Sequence, residues 1–343
     1  MLMVQGDRIL GTRWDGEPCE GGQLSGGYGF QPGAGKSGRL RRGGDKNSTA
    51  LRPDAKVTFA AERVVAGIDD IIASVNSELV GLAVVKQRIE EIAALLLVDR
   101  ARRRFGLTAP RPNLHMCFTG APGTGKTTVA LRMAQLLHRL GYIETPQLVH
   151  AMRDDLVGEY IGQTAPKTKR VLERAKGGVL FIDEAYYLYR GNDSKDYGQE
   201  AIEILLQVME NDRDQLVVIL AGYKDRMEVF FESNPGMRSR LAHHLDFASY
   251  DIDELTAIGA LMLDQTNYYL SPEAEAVLRT EVSRMMTEPH FANARTVRNE
   301  LELARLRHAH RIASDLHREW TRDELMRLEP TDVLAGDPVS DRR

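Results

Sequence analysis

The spacing of hydrophobic and polar positions divides the chain into regions of different predicted structure. Between residues 114 and 223 four short, nearly continuous apolar runs are typical of buried strands: "LHMCFTG", "QLVHAM", "GGVLFID" and "QLVVILAGY". Segments with apolar residues at helical spacing separate them, as in "TTVALRMAQLLHRLG" and "YGQEAIEILLQVMEND". Helices that alternate with buried strands predict a parallel sheet with helices on both faces, an α/β fold.

The regions on either side of the strands have different patterns. Residues 68–107 are predicted to be helical, and after about residue 248 the strand signal fades into three further helical segments. The first 55 residues are rich in Gly, Arg and Ser without a sustained period, so we expect disorder. They could also be an upstream extension that lies outside the functional protein. The predicted organisation is an extension at 1–55, an α/β domain at 56–247, a small all-helical domain at 248–335 and a tail at 336–343.

Composition narrows the class of protein. The 343 residues are 43 % hydrophobic and 27 % charged, as in soluble globular proteins, and the net charge of −4 gives no overall attraction to nucleic acid or anionic membranes. The longest apolar run, residues 92–98, is far shorter than the roughly 20 residues that span a membrane, and the N-terminus lacks signal-peptide features. Cys19 and Cys117 do not resemble a disulfide framework. We therefore expect a soluble cytoplasmic protein.

A phosphate-binding loop follows the first predicted strand. The segment "GAPGTGKT" at 120–127 has Gly, four residues and then Gly-Lys-Thr, with a strand before it and a helix after it. Its backbone N–H groups can surround phosphate oxygens, Lys126 can reach the β- and γ-phosphates of ATP, and the Thr127 hydroxyl can bind Mg²⁺. The predicted nucleotide-binding residues are Gly120, Ala121, Pro122, Gly123, Thr124, Gly125, Lys126, Thr127 and Thr128. The segment "FQPGAGKSG" near residue 35 lacks the first Gly and this context, so it is not interpreted as a phosphate loop.

An acidic pair ends the third predicted strand. In "GGVLFIDEA" the apolar run leads directly into Asp183 and Glu184, the Walker B arrangement. Asp183 is predicted to hold the Mg²⁺ shell and Glu184 to polarise the attacking water. The alternative is a strand that simply ends in solvated acidic residues.

The stretch "GEYIGQT" lies between these two motifs, and at this point the sequence resembles the AAA+ ATPases. In that superfamily an aromatic–aliphatic–glycine loop lines the central pore of a ring, a pattern that Tyr160, Ile161 and Gly162 match. The alternative is that Tyr160 is half-buried at the start of a helix. The loop lacks the basic residues of a nucleic-acid channel, so the resemblance implies a polypeptide client.

The same resemblance implies two arginines at the nucleotide. Arg240 in "NPGMRSRLAHHLDF" best matches the arginine finger that reaches the γ-phosphate of a neighbouring subunit, and Arg238 is the second choice. Arg295 in "NARTVRNEL" matches the sensor-2 arginine, although Asn293 replaces the usual Gly. Surface cations near helix ends are the alternative interpretation.

Two further positions follow from the same resemblance. Val80 and Gly81 in "ELVGLAVVKQRI" match the segment that cradles adenine, where an ordinary helix start is the alternative. Tyr223 occupies the region where many AAA+ proteins have a polar sensor-1 residue, which leaves that role unassigned.

Residues 70–335 are similar to one family in particular, the CbbX-type, red-type Rubisco activases. The similarity lies in "GEYIGQTAPKT", "GGVLFIDEAYYLY", "DYGQEAIEILLQVMEN", "LVVILAGYKDRM" and "FFESNPGMRSRLAHHLDF". It implies a hexameric ring that uses ATP and Mg²⁺ in carbon fixation, pulls the C-terminal tail of the Rubisco large subunit and releases sugar phosphates. It also implies ribulose bisphosphate as an allosteric ligand, and a bacterial cytoplasm or a plastid stroma as the location.

Two other classes of protein stay open at this point. Sporulation and type VII secretion AAA+ proteins share "GQTA" and "GGVLFIDEAY" but act on other protein clients. A nucleic-acid motor or clamp loader is the second class, and the uncharged pore loop argues against it.

Overall fold

The computed structural model describes residues 50–107, 109–191 and 196–334. The predicted disorder of residues 1–55 therefore lies outside the described residues, except for residues 50–55. The rejected phosphate-loop segment near residue 35, Cys19 and the predicted tail at 336–343 also lie outside them.

A parallel five-stranded sheet forms the centre of the α/β region, with strand order β2-β3-β4-β1-β5. The strands are β1 (Met116–Gly120), β2 (Leu148–Ala151), β3 (Val179–Ile182), β4 (Val217–Gly222) and β5 (His243–Phe247). The first four agree with the predicted strands. The fifth was not predicted, because it is an edge strand whose buried and exposed residues alternate and whose sequence contains two His and one Asp.

Helices cover both faces of the sheet. In chain order the described helices are α1 (Phe59–Ala66), α2 (Asp69–Glu78), α3 (Ala83–Arg104), α4 (Lys126–Arg139), α5 (Arg153–Leu156), α6 (Thr164–Ala175), α7 (Gly198–Asn211), α8 (Lys224–Ser233), α9 (Pro235–Arg240), α10 (Ile252–Asp264), α11 (Pro272–Met285), α12 (Ala294–Ala313), α13 (Arg322–Met326) and α14 (Pro330–Val333). None of the described helices is long and apolar enough to cross a bilayer.

Successive strand side chains point to opposite faces and so build two hydrophobic clusters. Phe118 of β1 joins the cluster formed with α2, α3 and α4, where its ring centroid lies 5.2 Å from that of Phe247. Cys117 joins the cluster formed with α5 to α9, and burial raises the pKa of its thiol to about 12. The thiol is therefore protonated and acts as a small apolar core group.

Helices α10 to α14 form the C-terminal region, as the fading strand signal predicts. A capping box of Asp251 and Glu254 begins α10, and an ion pair of 2.8 Å between the partly exposed Arg311 and the buried Asp332 joins α12 to α14. The region also contains a parallel pair of two-residue strands, β6 (Tyr269–Leu270) and β7 (Arg327–Leu328). Strands of two residues are too short to leave an alternating pattern in the sequence.

Candidate nucleotide-binding site

The loop between β1 and α4 has the backbone geometry of a phosphate loop. Gly120, Gly123 and Gly125 have φ angles of 149°, 71° and 92°. A Cβ on Gly120 would lie 2.4 Å from the carbonyl oxygen of Phe247, and one on Gly123 would lie 2.1 Å from that of Ala292. Glycine is required here both by the positive φ angles and by these close approaches.

The Lys126 ammonium lies at the centre of this loop. It donates hydrogen bonds to the carbonyl oxygens of Gly120 at 2.9 Å and Ala121 at 2.8 Å. Burial lowers the pKa of Lys126, whereas the nearby carboxylates of Asp183 and Glu184 act to raise it. The lysine and the acidic pair therefore face one another, as binding of a phosphate–Mg²⁺ group requires.

These residues line a cavity of about 440 Å³ between the end of the sheet and the C-terminal region. Its lining contains the sequence-predicted residues Val80, Pro122, Gly123, Thr124, Gly125, Lys126, Thr127, Thr128, Asp183, Glu184 and Arg295. It also contains residues that were not predicted to bind nucleotide: Glu78, Leu79, Tyr223, Tyr250, Ile258, Leu261, Met262, Gln265, Ala294 and Arg298. The volume falls in the range of small-molecule sites, and its polar end lies at the phosphate loop.

Asn293 joins the C-terminal region to the phosphate loop. Its φ of 48° and ψ of −130° lie where glycine is favoured, which agrees with the glycine that the sensor-2 resemblance leads us to expect at this position. The buried Asn293 side chain donates to the Pro122 carbonyl oxygen at 3.2 Å and accepts from the Tyr250 N–H at 3.1 Å. The Tyr250 hydroxyl donates to the Thr124 carbonyl oxygen at 3.0 Å. These hydrogen bonds hold the start of α12 against the phosphate loop.

Arg295 lies in the first turn of α12 and lines the cavity, where its charge acts to lower the pKa of Lys126. Arg298, one helical turn later, lines the same cavity. The spacing of three residues could have identified it, because residues i and i+3 share one face of a helix. By the same argument Ile258 and Met262 share one face of α10, and Gln265 follows at the C-cap of that helix.

The predicted adenine segment forms a tight turn before α3. Gly81 and Leu82 both have left-handed backbones, with φ angles of 60° and 51°. A Cβ on Gly81 would lie 1.9 Å from the Glu254 carboxylate of α10, so this glycine allows a close approach. Val80 lines the cavity, whereas Gly81 shapes the turn beside it.

The acidic pair has an unusual backbone. Glu184 adopts φ 50° and ψ 45°, a left-handed conformation that is rare for residues other than Gly and Asn. One carboxylate oxygen of Glu184, Oε2, is buried and has no hydrogen-bond partner. Asp183 Oδ2 lies 3.7 Å from Nε2 of His150 on the neighbouring strand β2. Such local strain persists only where the surrounding structure supports it, and it concentrates at functional sites.

The loop that contains Tyr160 and Ile161 lies outside the cavity lining and projects into solvent. The two side chains are 67 % and 85 % exposed, and a Cβ on Gly162, at φ 82°, would meet no atom within 4 Å. The base of the loop is fixed, since the Gly158 N–H donates to the buried Thr164 hydroxyl at 3.0 Å. The exposure excludes the alternative in which Tyr160 is half-buried at a helix start.

Arg240 lies at the end of α9. Neither Arg240 nor Arg238 is among the described residues that line the cavity. Arg240 Nη1 donates to the Gly236 carbonyl oxygen at 3.0 Å, and Nε lies 3.3 Å from Glu210 Oε2 without hydrogen-bond alignment. Arg238 is exposed. Neither arginine is brought to the nucleotide cavity of its own chain.

The fold and the phosphate-loop cavity define an AAA+ ATPase with a C-terminal helical lid. Residues 116–249 match the model of the ATPase family associated with various cellular activities, and residues 251–340 match the AAA lid domain. The predicted fold class is therefore confirmed, and the chain has the nucleotide-binding domain of an ATPase.

Full-length relatives narrow the class to one family. The chain is 61 % identical over 279 residues to the chromosomal protein CbxX of Cupriavidus necator, and the aligned region covers 81 % of this chain and 88 % of the relative. It is 62 % identical over 263 residues to protein CbbX of Cereibacter sphaeroides, covering 77 % and 85 %. It is 57 % identical over 269 residues to the chloroplastic ribulose bisphosphate carboxylase/oxygenase activase of Cyanidioschyzon merolae, covering 78 % and 92 %. The chain belongs to the CbbX-type, red-type Rubisco activase family, as the sequence motifs predict.

Proposed function

We propose that this chain is an ATP-driven remodeller that reactivates inhibited red-type Rubisco. In this proposal a homo-hexameric ring draws the C-terminal tail of the Rubisco large subunit transiently into its pore. The pull releases bound sugar phosphates such as ribulose bisphosphate. A relative named ribulose bisphosphate carboxylase/oxygenase activase supports Rubisco as the client.

The exposed tip at Tyr160 and Ile161 is the observation that carries this proposal. Large apolar side chains that face water without packing neighbours mark surfaces that contact a partner. An aromatic ring offers extensive contact area with little dependence on the client's sequence. An anchored base below a free tip suits a loop that grips and moves a polypeptide.

In the nucleotide cavity the proposed roles follow from charge and position. The phosphate-loop N–H groups and Lys126 bind the β- and γ-phosphates of ATP. Thr127 and Asp183 would hold Mg²⁺, which neutralises developing charge on the phosphates when it is bound. Glu184 orients the attacking water and accepts its proton. Arg295 contacts the nucleotide from the lid of the same chain.

Arg240 is proposed to complete the site from a neighbouring subunit. A residue outside its own cavity can reach a γ-phosphate only across an interface, and a head-to-tail interface of this kind closes into a ring or runs on as a helix. Its positive charge would stabilise the transition state of phosphoryl transfer.

The remaining predictions enter as proposals of the same kind. We place the extension at 1–55, the α/β domain at 56–247, the lid at 248–335 and the tail at 336–343, and the adjoining family matches at 116–249 and 251–340 support the central boundary. The location would be a bacterial cytoplasm or a plastid stroma, with ribulose bisphosphate as an allosteric ligand and with no nucleic-acid or membrane partner.

The test combines ATPase and carboxylase measurements. The purified protein is incubated with MgATP, with and without ribulose bisphosphate, and with red-type Rubisco inhibited by that sugar phosphate. We expect carboxylation to recover with the wild type and to stay inhibited with the matched Glu184→Gln variant. Active ATP hydrolysis without any recovery of carboxylation would assign the motor to another protein client.

A further inference from the structure

A largely buried arginine joins the segment after the acidic pair to the segment before the exposed loop at 158–164. Arg153 is the first residue of α5, and its side chain is 13 % exposed. Nη1 donates to the Tyr187 carbonyl oxygen at 2.6 Å, in the short 3-10 helix Ala185–Leu188 that follows Glu184. Nη2 donates to the carboxylate of Asp196, just before α7. One side chain therefore holds three segments that are distant in the sequence.

The Asp196 carboxylate, only 7 % exposed, fixes this arginine. It also accepts hydrogen bonds from the N–H groups of Arg190 at 3.2 Å and Gly198 at 3.1 Å. Burial acts to raise the pKa of Asp196, but the hydrogen bonds from Arg153 and Gly198 outweigh it and lower that pKa, so the carboxylate is charged at neutral pH. A Cβ on Gly198 would lie 1.9 Å from the Leu188 carbonyl oxygen and 2.9 Å from Arg153 Nη1, so glycine allows α7 to begin against the ion pair.

The peptide backbone at Tyr187 connects this arginine to the nucleotide cavity. The Tyr187 N–H donates to the Glu184 carbonyl oxygen at 2.9 Å, and the Tyr187 carbonyl oxygen accepts from Arg153. Glu184 lines the cavity and has a left-handed backbone. A displacement of the Glu184 turn would therefore move the carbonyl group to which Arg153 is bonded.

The other end of α5 is fixed to the base of the exposed loop. The Val157 N–H donates to the Arg153 carbonyl oxygen at 2.8 Å and closes this one-turn helix. The Leu156 carbonyl oxygen accepts from the Thr168 hydroxyl at 2.8 Å, and that of Val157 accepts from the Lys167 ammonium at 3.1 Å. Arg153 thus lies on a short rigid element that ends where the exposed loop begins.

An ion pair of this kind adds little net stability, because removing both charges from water costs about as much as their attraction returns. An apolar pair of similar volume is often at least as stable. A forked guanidinium adds direction instead, since it holds a carboxylate and a carbonyl oxygen in fixed relative positions.

We propose that Arg153 is a positioning residue that couples the state of the nucleotide cavity to the position of the exposed loop. Movement of the Glu184 turn passes through the Tyr187 peptide and Arg153 to α5, and from α5 to the base of the loop that carries Tyr160. Asp196 keeps the guanidinium in place. The inference rests on the proposed roles of Glu184 in hydrolysis and of Tyr160 in client contact.

The first experiment measures the response of the loop to nucleotide and needs no Rubisco. An environment-sensitive thiol dye is attached to Ile161→Cys in the full-length protein with Cys19→Ser, where Cys117 is buried and stays unlabelled. Emission at saturating ADP should differ from that at a saturating non-hydrolysable ATP analogue. Arg153→Lys keeps the charge but loses the fork, so the difference should shrink about five-fold or more, as for typical coupling between sites. Arg311→Lys, at the Arg–Asp pair of the lid, is the matched control and should keep the full difference.

The inference is overturned if wild type and Arg153→Lys respond equally. It is also overturned if the wild-type loop does not respond to the nucleotide, because there is then nothing to transmit. These outcomes do not depend on the client. A wild type that fails to reactivate Rubisco removes the proposed function, whereas normal reactivation together with an unchanged dye response in Arg153→Lys removes only the role of Arg153.

A second variant separates coupling from stability. Arg153→Met combined with Asp196→Asn removes both charges at similar side-chain size, so its Tm should stay close to the wild-type value. The dye response should still be lost, and the ATP consumed per reactivated Rubisco should rise about five-fold or more. Both quantities are measured well below the Tm of either protein. Normal coupling in this double variant would show that the ion pair only supports the fold, which also overturns the inference.

Discussion

The phosphate loop at 120–127 and the exposed loop at 158–164 both contain glycine with a positive φ angle, but their surroundings are opposite. In the phosphate loop a Cβ on Gly123 would meet the Ala292 carbonyl oxygen at 2.1 Å. In the exposed loop a Cβ on Gly162 would meet nothing within 4 Å. Gly123 allows two backbone segments to approach closely, whereas Gly162 only allows the chain to turn.

The difference separates a region suited to chemistry from a region suited to contact. Hydrolysis gains from groups that are held in place before the reaction, and Lys126 is already held by two carbonyl oxygens. A loop that grips a changing client needs a fixed base and a free tip, as Thr164 and Tyr160 illustrate. We therefore expect substitutions in the two loops to affect different measured quantities.

The largest effect that we expect is the loss of ATP turnover on substitution in the nucleotide cavity. Glu184→Gln keeps the size and shape of the side chain but removes the negative charge and the base, so turnover should fall by a factor on the order of 10² to 10⁴ while ATP binding survives. Lys126→Ala should instead weaken ATP binding itself, because the phosphates lose a charged donor. Nucleotide affinity and steady-state ATPase rates of both variants check this. Near-normal turnover in Glu184→Gln would contradict the assigned role.

The next effect tests whether the cavity is complete within one chain. If Arg240 acts across an interface, an Arg240→Ala subunit keeps an intact cavity and a Glu184→Gln subunit keeps an intact arginine, so mixing the two inactive variants should restore ATP hydrolysis where the first receives Arg240 from the second. An equal, freely mixing preparation should regain about one quarter of the wild-type ATPase activity, since half of the cavities are intact and half of their neighbours supply the arginine. No recovery in a preparation that co-assembles would mean that Arg240 acts within its own subunit or not at all. Arg238→Ala is the matched control.

Tyr160→Ala should separate hydrolysis from remodelling. The side chain has few packing contacts to lose, so the Tm should stay near the wild-type value, ATP should bind and at least part of the basal hydrolysis should survive. Rubisco reactivation should fail, because hydrolysis no longer couples to pulling. Tyr269→Ala removes another exposed tyrosine, from the lid, and serves as the control. Wild-type reactivation by Tyr160→Ala would refute the pore-loop role.

A matched pair of glycine substitutions tests the comparison directly. Gly123→Ala and Gly162→Ala both place a Cβ on a left-handed backbone, at a shared cost of about 1–2 kcal/mol. Only Gly123→Ala also forces the carbonyl of Ala292 to move, so it should lower the Tm further and weaken ATP binding. Gly162→Ala should leave ATP affinity unchanged. Equal losses of ATP affinity in the two variants would show that the close contact has no effect on the site.

Local sequence signals account for much of this fold and for part of the cavity. Strands β3 and β4 are buried along their whole length, so they leave continuous apolar runs. The edge strand β5 exposes His244 and Asp246, and its sequence therefore resembles a polar segment. A motif could identify Lys126 and Thr127, because neighbouring residues in the chain form one loop.

The remaining lining of the cavity depends on how distant segments pack. Tyr250, Gln265 and Arg298 reach the site only because the lid packs against the phosphate loop, and no local pattern specifies that contact. The same holds for the ion pair of Arg153 with Asp196, which lie on different segments. Asn293 replaced an expected glycine, and only its φ angle and hydrogen bonds show how the exchange is accommodated.

The smallest effect that we expect is on the free energy of unfolding, and it comes from His115. This residue lies at the opposite end of β1 from the phosphate loop, in the sheet that supports the cavity. The buried His115 ring accepts a hydrogen bond at Nδ1 from the Val218 N–H at 3.0 Å and donates from Nε2 to the Met209 carbonyl oxygen at 2.9 Å. Protonation at Nδ1 would break the first bond. Burial lowers the pKa of His115 below 6.5, with Arg213 acting in the same direction and Glu210 and the Met209 carbonyl against it.

Because this pKa is lower in the folded state, the unfolded chain binds more protons as the pH falls below about 6.5. The contribution of His115 to stability is therefore complete above that pH and is lost as the pH falls toward the folded-state pKa, by up to about 1.4 kcal/mol per pH unit. Urea unfolding of wild type and His115→Gln between pH 7.5 and 5.5 measures it, since the difference in slope removes the contributions of other histidines. A wild-type slope no steeper than that of His115→Gln would mean that the ring takes up its proton equally in both states. At pH 7.5 we expect wild type and His115→Gln to hydrolyse ATP at the same rate as long as β1 keeps the phosphate loop in place. The two hydrogen bonds of His115 thus belong to the sheet that supports the preorganised phosphate loop.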